Sequence, residues 1–316
     1  MIGEWKSFLL DRAEDWQLPT TGKWSAFVHN NYHPHCSNVN LMWFHMSDEF
    51  PRIVTKLYRE PDILKREFEN LSEIHARAPR WVPRPLHFGF QGGFWAMWMS
   101  GVPGYRFRGG GKYSPETLRS MAEAVAGIHA ATRKTEVPDP DRYRRIVSEP
   151  LQSLGRFGAS VAVRAGCAEL EARVSADSVN AFPVVPQHGD LFSGNLLSHA
   201  GKWYVVDWES FGKIDLPFYD LLTLLVSLLL EEGRRPEQWN VTLVKQIPAL
   251  ISAYARGLGV AVANVHLMLP LTLANWFHMQ WSDGRKEFAE MMYKAIEHYF
   301  ERPAVWENVF SGELKP

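Results

Sequence analysis

The chain has 316 residues, of which 46% are apolar and 22% are charged, and its formal net charge at pH 7 is −1. This composition is typical of a globular protein of one or two domains and excludes a disordered chain. A charge so close to zero argues against non-specific nucleic-acid binding, which usually requires a basic surface.

The compartment is predicted from cysteines and apolar runs. Cys36 and Cys167 are too few for a disulfide framework, which favours a reducing cytoplasm. The first residues include Glu4 and lack the basic-then-apolar order of a signal peptide. The longest apolar run, 221–230, is too short to span a bilayer. We therefore expect a cytoplasmic protein with no membrane or nucleic-acid partner, and the sequence leaves its oligomeric state open.

The first hundred residues are predicted to be rich in strands. An amphipathic pattern predicts a helix at the start of the chain, and apolar runs separated by turn residues predict an antiparallel meander. A polar loop from Asn30 to Asn38 is expected between the first two strands. The predicted elements are a helix over 4–16, strands over 24–28, 39–45 and 52–58, a helix over about 62–76, and a strand over 94–99.

One acid lies on the apolar face of the second helix. Glu67 falls between Leu64 and Leu71 at helical spacing. Because a carboxylate that points inward requires a cationic partner, we expect one nearby. Lys56, on the preceding strand, is the nearest candidate along the chain.

The rest of the chain is predicted to be mostly helical. Glycines and a proline at 101–104 interrupt the strand pattern, which places a domain boundary near residue 100 and predicts domains over 1–99 and 100–316. A hairpin is expected about Ala200-Gly201, and a short strand over 182–186. Long helices are expected at about 148–174, 218–232, 239–257, 263–281 and 284–300.

The most specific chemistry lies in two short segments. Asp190, in His188-Gly189-Asp190, precedes Asn195 by five residues, and Asp207 follows at the end of the predicted hairpin. Phosphoryl transfer requires a carboxylate beside the attacking hydroxyl and oxygen ligands that hold Mg²⁺ against the phosphates. Asp190 fits the first requirement, and Asn195 and Asp207 fit the second. An ammonium such as that of Lys56 neutralises phosphate oxygens.

This set resembles the aminoglycoside phosphotransferase/choline kinase-like family, which shares the protein-kinase fold. The segments His188 to Asn195 and Asp207-Trp208-Glu209 match the family's two main patterns, and further segments are similar to its proline loop, hinge and loop-anchoring acid. The resemblance implies a bilobal α+β fold with an antiparallel-sheet N-terminal lobe and a larger, mostly helical C-terminal lobe. The further segments are Val82 to Pro85, Met97 to Met99, and Asp215 to Leu221.

The resemblance also implies roles for individual residues. Asp190 corresponds to the catalytic base, and Asn195 and Asp207 to the Mg²⁺ ligands. Lys56 corresponds to the phosphate-contacting lysine and Glu67 to its partner. The remaining nucleotide-binding positions are Ser37, Asn38, Met97 and Met99. The implied cofactors are Mg²⁺ and ATP or GTP.

The function predicted in this way is that of a small-molecule kinase. Such an enzyme transfers the γ-phosphoryl group to a hydroxyl of a sugar, aminoglycoside, amino alcohol or related metabolite, and the sequence does not identify which. The segment from His29 to Asn38 contains no glycine where the family usually has one. This departure motivates an alternative, a catalytically inactive pseudokinase or binding module. A protein kinase is disfavoured, because too few residues separate Asp207 from Pro217 for an activation segment.

Three further patterns each have two interpretations. His29, His33, His35 and Cys36 could hold a metal, but their spacing matches no common closed zinc site, so a nucleotide-covering or exposed loop is favoured. The run 109–112 fails the phosphate-loop pattern and predicts a flexible loop. The aromatic patch 275–281 could form a pocket wall, although core packing of its rings is favoured.

Overall fold

The computed structural model describes residues 2–33, 36–107, 114–135, 139–158, 160–232, 238–262 and 265–311. The chain divides into two compact units. Unit 1 comprises Met1–Phe107 and Asn195–Ser210, and unit 2 comprises Arg108–Gly194 and Phe211–Pro316. The domain boundary near residue 100, with domains over 1–99 and 100–316, stays a prediction, and the compact units group the segment 195–210 with the first part of the chain.

Unit 1 is built on a five-stranded antiparallel sheet with the strand order β1-β2-β3-β5-β4. The strands are β1 (Trp24–His33), β2 (Cys36–His45), β3 (Ile53–Tyr58), β4 (Pro85–Gln91) and β5 (Phe94–Ser100). The meander is therefore antiparallel, as predicted. The sequence did not predict β4, whose residues are nearly all half-buried and lack a clear alternation.

The polar loop predicted over 30–38 is largely wrong. β1 and β2 continue through it, with Asn31 opposite Asn38 and Tyr32 opposite Ser37. Only residues 34 and 35, which lie outside the described ranges, separate the two strands. A ladder is formed by backbone groups, so a run of polar side chains does not by itself end a strand.

The two faces of the sheet differ in character. Helix α1 (Ile2–Asp11) contributes Trp5 and Leu9 to a buried cluster that contains Trp43, Ile53 and other apolar residues of the sheet. Because side chains alternate along a strand, Lys56 of β3 lies on the opposite face from Ile53. The predicted helix over 4–16 ends early, at Asp11, and residues 12–17 form turns.

Helix α2 (Pro61–Arg77) matches the prediction within one residue at each end. It begins with a proline at its first turn, where no backbone donor is lost. Its buried face consists of Leu64, Glu67, Leu71 and Ile74, so Glu67 is the single acid on an apolar stripe. The inward orientation predicted for Glu67 is confirmed.

A second, three-stranded sheet completes unit 1. It has the order β6-β7-β8, formed by β6 (Tyr105–Arg106), β7 (Leu196–His199) and β8 (Lys202–Val205). Ala200 and Gly201 join β7 to β8 with φ values of 48° and 73°. Two successive left-handed residues suit the right-handed twist of a hairpin, so the predicted hairpin is confirmed.

Unit 2 is mostly helical in its described residues. The last four predicted helices are present, with ends shifted by one or two residues. The helix predicted over 148–174 is instead interrupted, because Gly158 adopts φ 87° and Ser160 caps a new helix. The helices are α3 (Pro115–Thr132), a π-helical turn (Arg144–Ser148), α4 (Glu149–Arg156), α5 (Val161–Arg173), α6 (Ala176–Asn180), α7 (Tyr219–Glu232), α8 (Val241–Leu258), α9 (Val265–Ser282), α10 (Lys286–Glu301) and α11 (Pro303–Ser311).

Two smaller elements of unit 2 also differ from the sequence-based prediction. The predicted strand over 182–186 is reduced to one isolated bridge between Lys134 and Val184. Helix α11 was not predicted. Among the helices of the described ranges, none combines the length and the apolar character that a bilayer crossing requires.

Candidate active site

The centre of the site in unit 1 is Lys56. Its Nζ donates to Glu67 Oε1 at 2.5 Å and to Asp207 Oδ1 at 2.6 Å. The side chains of Lys56 and Glu67 are 11% and 1% exposed, whereas that of Asp207 is 42% exposed. The structure therefore brings together three predicted site residues that are far apart in the sequence. One carboxylate in this group is buried and the other reaches solvent.

The burial and the charges of this group act on two pKa values. Burial disfavours the Lys56 ammonium, but the carboxylates of Asp207 and Glu67 outweigh it and hold the pKa of Lys56 well above its ordinary value. Burial raises the pKa of Glu67 to about 7; the Lys56 charge opposes this rise and the Asp207 charge adds to it. Lys56 therefore stays cationic, while Glu67 exchanges its proton near neutral pH.

Helix α2 also holds the backbone that follows Asp207. Asn70 donates from Nδ2 to the carbonyl of Trp208 at 2.9 Å, and Arg66 donates from Nε to the carbonyl of Glu209 at 3.1 Å. Asp207 itself has φ 74°, a left-handed conformation that costs energy for a residue with a side chain. These contacts help to keep the acid in a conformation that an isolated chain would seldom adopt. Arg66 and Asn70 were not identified from the sequence.

Asn195 and Asp207 lie at the same end of the β7–β8 hairpin. Leu196 pairs with Val205, and just beyond this pair the Val206 amide donates to the Asn195 carbonyl at 3.1 Å. Asn195 is 6% exposed. The hairpin thus brings the two predicted Mg²⁺ ligands to one end.

The residues present fit a magnesium ion that substrate phosphates help to hold. Asp207, whose side chain is 42% exposed, offers a carboxylate, and Asn195 offers an amide oxygen at the same end of the hairpin. In the described ranges no three His, Cys, Asp or Glu side chains form a ready-made metal cluster. Mg²⁺ commonly takes one or two protein carboxylates plus waters and phosphates, so this donor set suits it.

Two of the predicted nucleotide contacts are well placed beside Lys56. Met97 is its direct neighbour across β3 and β5, and Met99 lies two residues further along the same face. Both are buried, at 0% and 6% exposure. Ser37 and Asn38 lie in β2, but their side chains, like those of His33 and Cys36, are outside what the structure describes. His35 and the run 109–112 lie wholly outside the described residues.

In unit 2, Asp220 anchors the loop that carries Asp190. The two Asp220 carboxylate oxygens accept from the amides of His188 and Gly189, at 2.6 and 3.0 Å. His129 Nε2 lies 2.9 Å from the same carboxylate, which is fully buried. Gly189 has φ 89°, which explains the glycine between His188 and Asp190. The structure supports the anchoring role expected for Asp220.

The predicted base, Asp190, is held by two residues that sequence analysis missed. Gln280 donates from Nε2 to Oδ1 at 3.0 Å, and Arg285 donates from Nη1 to Oδ2 at 3.0 Å. Both donors come from the end of α9 and the start of α10. The sequence did contain one indication of this contact. An arginine at the N-terminus of a helix opposes the helix dipole, so Arg285 at the start of α10 suggests that its side chain has another partner.

The aromatic patch on α9 is mainly core. Trp276 and Phe277 are 1% and 0% exposed, and Asn275 uses its amide to donate to the carbonyls of Ile146 and Leu271. Trp281 is 36% exposed and stacks on Phe277. Core packing of Trp276 and Phe277, the favoured interpretation, is confirmed.

Comparison with known proteins places this chain among phosphoryl-transfer enzymes. Residues 38–266 match the family model described as the phosphotransferase enzyme family. No curated protein matches the chain. The family predicted from the motifs and the phosphotransferase class are confirmed, and the comparisons give no support to the binding-module alternative.

Solved structures show the same fold at low sequence identity. The choline kinase of Cryptosporidium parvum superposes with a TM-score of 0.63 at 14% identity, covering 98% of this chain and 96% of that one. The macrolide 2′-phosphotransferase of Brachybacterium faecium gives 0.58 at 18%, covering 92% and 98%. A spectinomycin phosphotransferase in complex with ADP and spectinomycin gives 0.53 at 13%, covering 92% and 93%. The predicted α+β, protein-kinase-like fold class is confirmed.

Proposed function

We propose, on the premise that this chain belongs to the phosphotransferase enzyme family, that it transfers the γ-phosphoryl group of ATP to a hydroxyl of a small molecule. The observation that carries the proposal is the buried group of Lys56, Glu67 and Asp207. An ammonium held between two carboxylates is costly to bury, and phosphoryl transfer gives it a use.

In this proposal unit 1 binds the nucleotide. Lys56 neutralises phosphate oxygens and Glu67 keeps its ammonium in place, while Met97 and Met99, whose backbone is already paired with β3 and β4, contact the base through their side chains. Asn195 and Asp207 would hold Mg²⁺, which when bound offsets the charge that develops on the phosphates. The nucleotide phosphates supply the remaining anionic ligands.

Unit 2 supplies the base. Asp190 accepts the proton of the acceptor hydroxyl while the hydroxyl oxygen bonds to the γ-phosphorus. The bond from that phosphorus to the β–γ bridging oxygen breaks, and ADP leaves with its electrons. The Asp220 anchor fixes the loop on which Asp190 lies, so the carboxylate is positioned before substrate binds.

The acceptor is proposed only as a chemical class. Proteins of the same fold are named for choline, macrolides and spectinomycin, all of which carry hydroxyl groups. We propose that the acceptor is a hydroxyl on a sugar, aminoglycoside, amino alcohol or related metabolite. We also propose that the enzyme acts in the cytoplasm. Two acids of unit 2 that could attract a cationic acceptor already have partners, since Asp283 pairs with Lys213 at 3.4 Å and Glu231 accepts from the Ser193 hydroxyl.

Calorimetric titration with ATP and with GTP, each with and without Mg²⁺, tests the nucleotide half of the proposal. We expect binding of ATP that is strengthened by Mg²⁺, and the Lys56→Met variant should bind it more weakly. Preferential binding of GTP would show that GTP, and not ATP, is the phosphoryl donor. Binding of neither nucleotide would refute the proposed function.

The acceptor half is tested by transfer of labelled γ-phosphate. Choline, spectinomycin, a macrolide and simple sugars form the first panel, with Asp190→Ala as the matched control. We expect at least one compound to gain the label in an Asp190-dependent manner. Label that appears equally with Asp190→Ala would show that another group acts as the base.

A further inference from the structure

The carboxylate of Asp190 is held from two sides by a single turn of the chain. Gln280 lies in the last turn of α9 and Arg285 immediately before α10. Gly284, with φ 75°, lets the chain reverse between them. The Arg285 amide donates back to the Gln280 carbonyl at 2.9 Å, so the two donors are fixed relative to each other.

The two donors differ in charge and in burial. Gln280 is neutral and 2% exposed, and it reaches Oδ1. Arg285 is charged, its side chain is 32% exposed, and it reaches Oδ2. A carboxylate has about four acceptor sites, and two such bonds fix its plane. The Asp190 side chain is 13% exposed, so it is not sealed from solvent.

Ordinary structural explanations account poorly for Arg285. It occupies the cap position of α10 with Lys286 next to it, and two cations at a helix N-terminus oppose the helix dipole. Lys286 lies 5.9 Å over the ring of Trp281, whereas Arg285 turns to Asp190. Both Gln280 and Arg285 also lie beyond the residues 38–266 that match the family model.

We propose that Arg285, supported by Gln280, is a positioning residue that orients the Asp190 carboxylate for proton transfer. This inference rests on the proposed function. The guanidinium contacts the Asp190 carboxylate, so it acts by fixing the direction of the carboxylate and by balancing its charge. Misplacing a catalytic group by about 1 Å can cost about 100-fold in rate.

The test uses hydrolysis of MgATP, so that it does not depend on the identity of the acceptor. Water then takes the place of the alcohol: its oxygen bonds to the γ-phosphorus, the bond to the β–γ bridging oxygen breaks, and Asp190 takes the proton. Single-turnover hydrolysis is measured for the wild type, Arg285→Ala, Arg285→Lys and Lys286→Ala. Nucleotide affinity and the melting temperature are measured for each variant.

We expect Arg285→Ala to lower the turnover rate about 10- to 100-fold while the nucleotide affinity stays unchanged. Millimolar guanidinium should restore part of this rate, with sodium chloride at equal ionic strength as the control. Arg285→Lys should retain an intermediate rate, and Lys286→Ala the full rate. If Arg285→Ala fails to fold, the rate of Arg285→Lys decides.

Two results would overturn the inference alone. One is an active wild type whose rate is matched within twofold by Arg285→Ala, or by Arg285→Lys if that is the only folded variant. The other is a loss that guanidinium does not restore and that is accompanied by an equal loss of nucleotide affinity. A wild type that neither binds nor turns over nucleotide would instead refute the proposed function and the inference together.

Discussion

The group around Lys56 in unit 1 and the group around Asp190 in unit 2 solve opposite electrostatic problems. In unit 1 the cation of Lys56 lies between the carboxylates of Glu67 and Asp207, so negative charge is in excess when both are ionised. In unit 2 the carboxylate of Asp190 is met by Arg285 and by the neutral amide of Gln280, so the charges balance. The group in unit 1 therefore carries an excess of carboxylate oxygen, and the group in unit 2 holds its carboxylate in a fixed orientation.

In the proposed function this difference separates nucleotide binding in unit 1 from proton transfer in unit 2. The excess of carboxylate oxygen around Lys56 would attract a hard divalent cation together with the nucleotide phosphates. A balanced, oriented carboxylate is suited to accept a proton from a hydroxyl at the moment of reaction. Variants in unit 1 should accordingly change affinity and stability, and variants at Asp190 should change the rate.

The largest effect is expected for Asp190→Ala. Loss of the base should lower the turnover rate about 100- to 10,000-fold, because proton transfer then falls to solvent. Affinity for MgATP should stay close to that of the wild type, as measured by calorimetry. Asp141→Ala, which removes an exposed acid paired with Arg144, is the matched control. Near-normal turnover by Asp190→Ala would show that the base is another residue.

Lys56→Met tests the buried charges of unit 1. The change leaves Glu67, which is 1% exposed, without its cation and should lower the free energy of unfolding by about 3 kcal/mol. Lys65→Met is the control, since Lys65 and Glu69 form an exposed pair at 3.9 Å that contributes little. Urea denaturation measures both.

A second substitution makes the Lys56 test more specific. If the cost arises from the uncompensated carboxylate, Lys56→Met combined with Glu67→Leu should recover part of the lost stability. Additive losses in the double variant would contradict the charge explanation and would point to packing instead.

The raised pKa of Glu67 predicts a pH-dependent stability. Between its ordinary value of 4.5 and about 7, the folded protein keeps a proton that the unfolded chain has lost. The contribution of Glu67 to the free energy of unfolding should therefore fall as pH rises through this window, by on the order of 2 kcal/mol.

Glu67→Gln provides the comparison, because a glutamine cannot titrate. Denaturation of both proteins between pH 5 and pH 8 should show the wild type losing stability relative to Glu67→Gln as pH rises, with little further change once Glu67 is ionised. The raised pKa of Glu67 would be contradicted if the difference in stability between the wild type and Glu67→Gln stayed constant with pH. It would also be contradicted if the wild type gained stability relative to Glu67→Gln as pH rises.

The smallest effect is expected for Asp207→Asn. The amide retains one oxygen ligand and loses the negative charge, so MgATP binding should weaken about tenfold, or about 1.4 kcal/mol. Titrations with ATP alone separate this loss from a general loss of nucleotide binding. If the variant weakens ATP binding equally with and without Mg²⁺, Asp207 is not a ligand of the metal.

The secondary structure and the side-chain pairs of unit 1 were more predictable from the sequence than those of unit 2. The Lys56–Glu67 pair followed from one acid on an apolar helical face, and the hairpin followed from Ala200-Gly201 between two apolar runs. Both are short-range patterns. The extension of β1 and β2 through the polar segment was not predictable in this way, because it depends on pairing between backbones.

Unit 2 shows the limit of local patterns more clearly. The interruption near Gly158 depends on one left-handed residue inside a segment whose periodicity otherwise favours a continuous helix. The Asp220 anchor was expected only through the family's loop segment, and its two hydrogen bonds to the loop became visible in the structure.

The sequence by itself determined the family and the candidate site residues: the spacing of Asp190, Asn195 and Asp207 and the inward acid Glu67 follow from side-chain type and short-range periodicity. Only the tertiary structure decided which groups surround those residues. Gln280 and Arg285 reach Asp190 across 90 and 95 residues of chain. Contacts over such separations leave no periodic trace, because they arise when packed helices bring distant turns together, and that packing is set by the whole core.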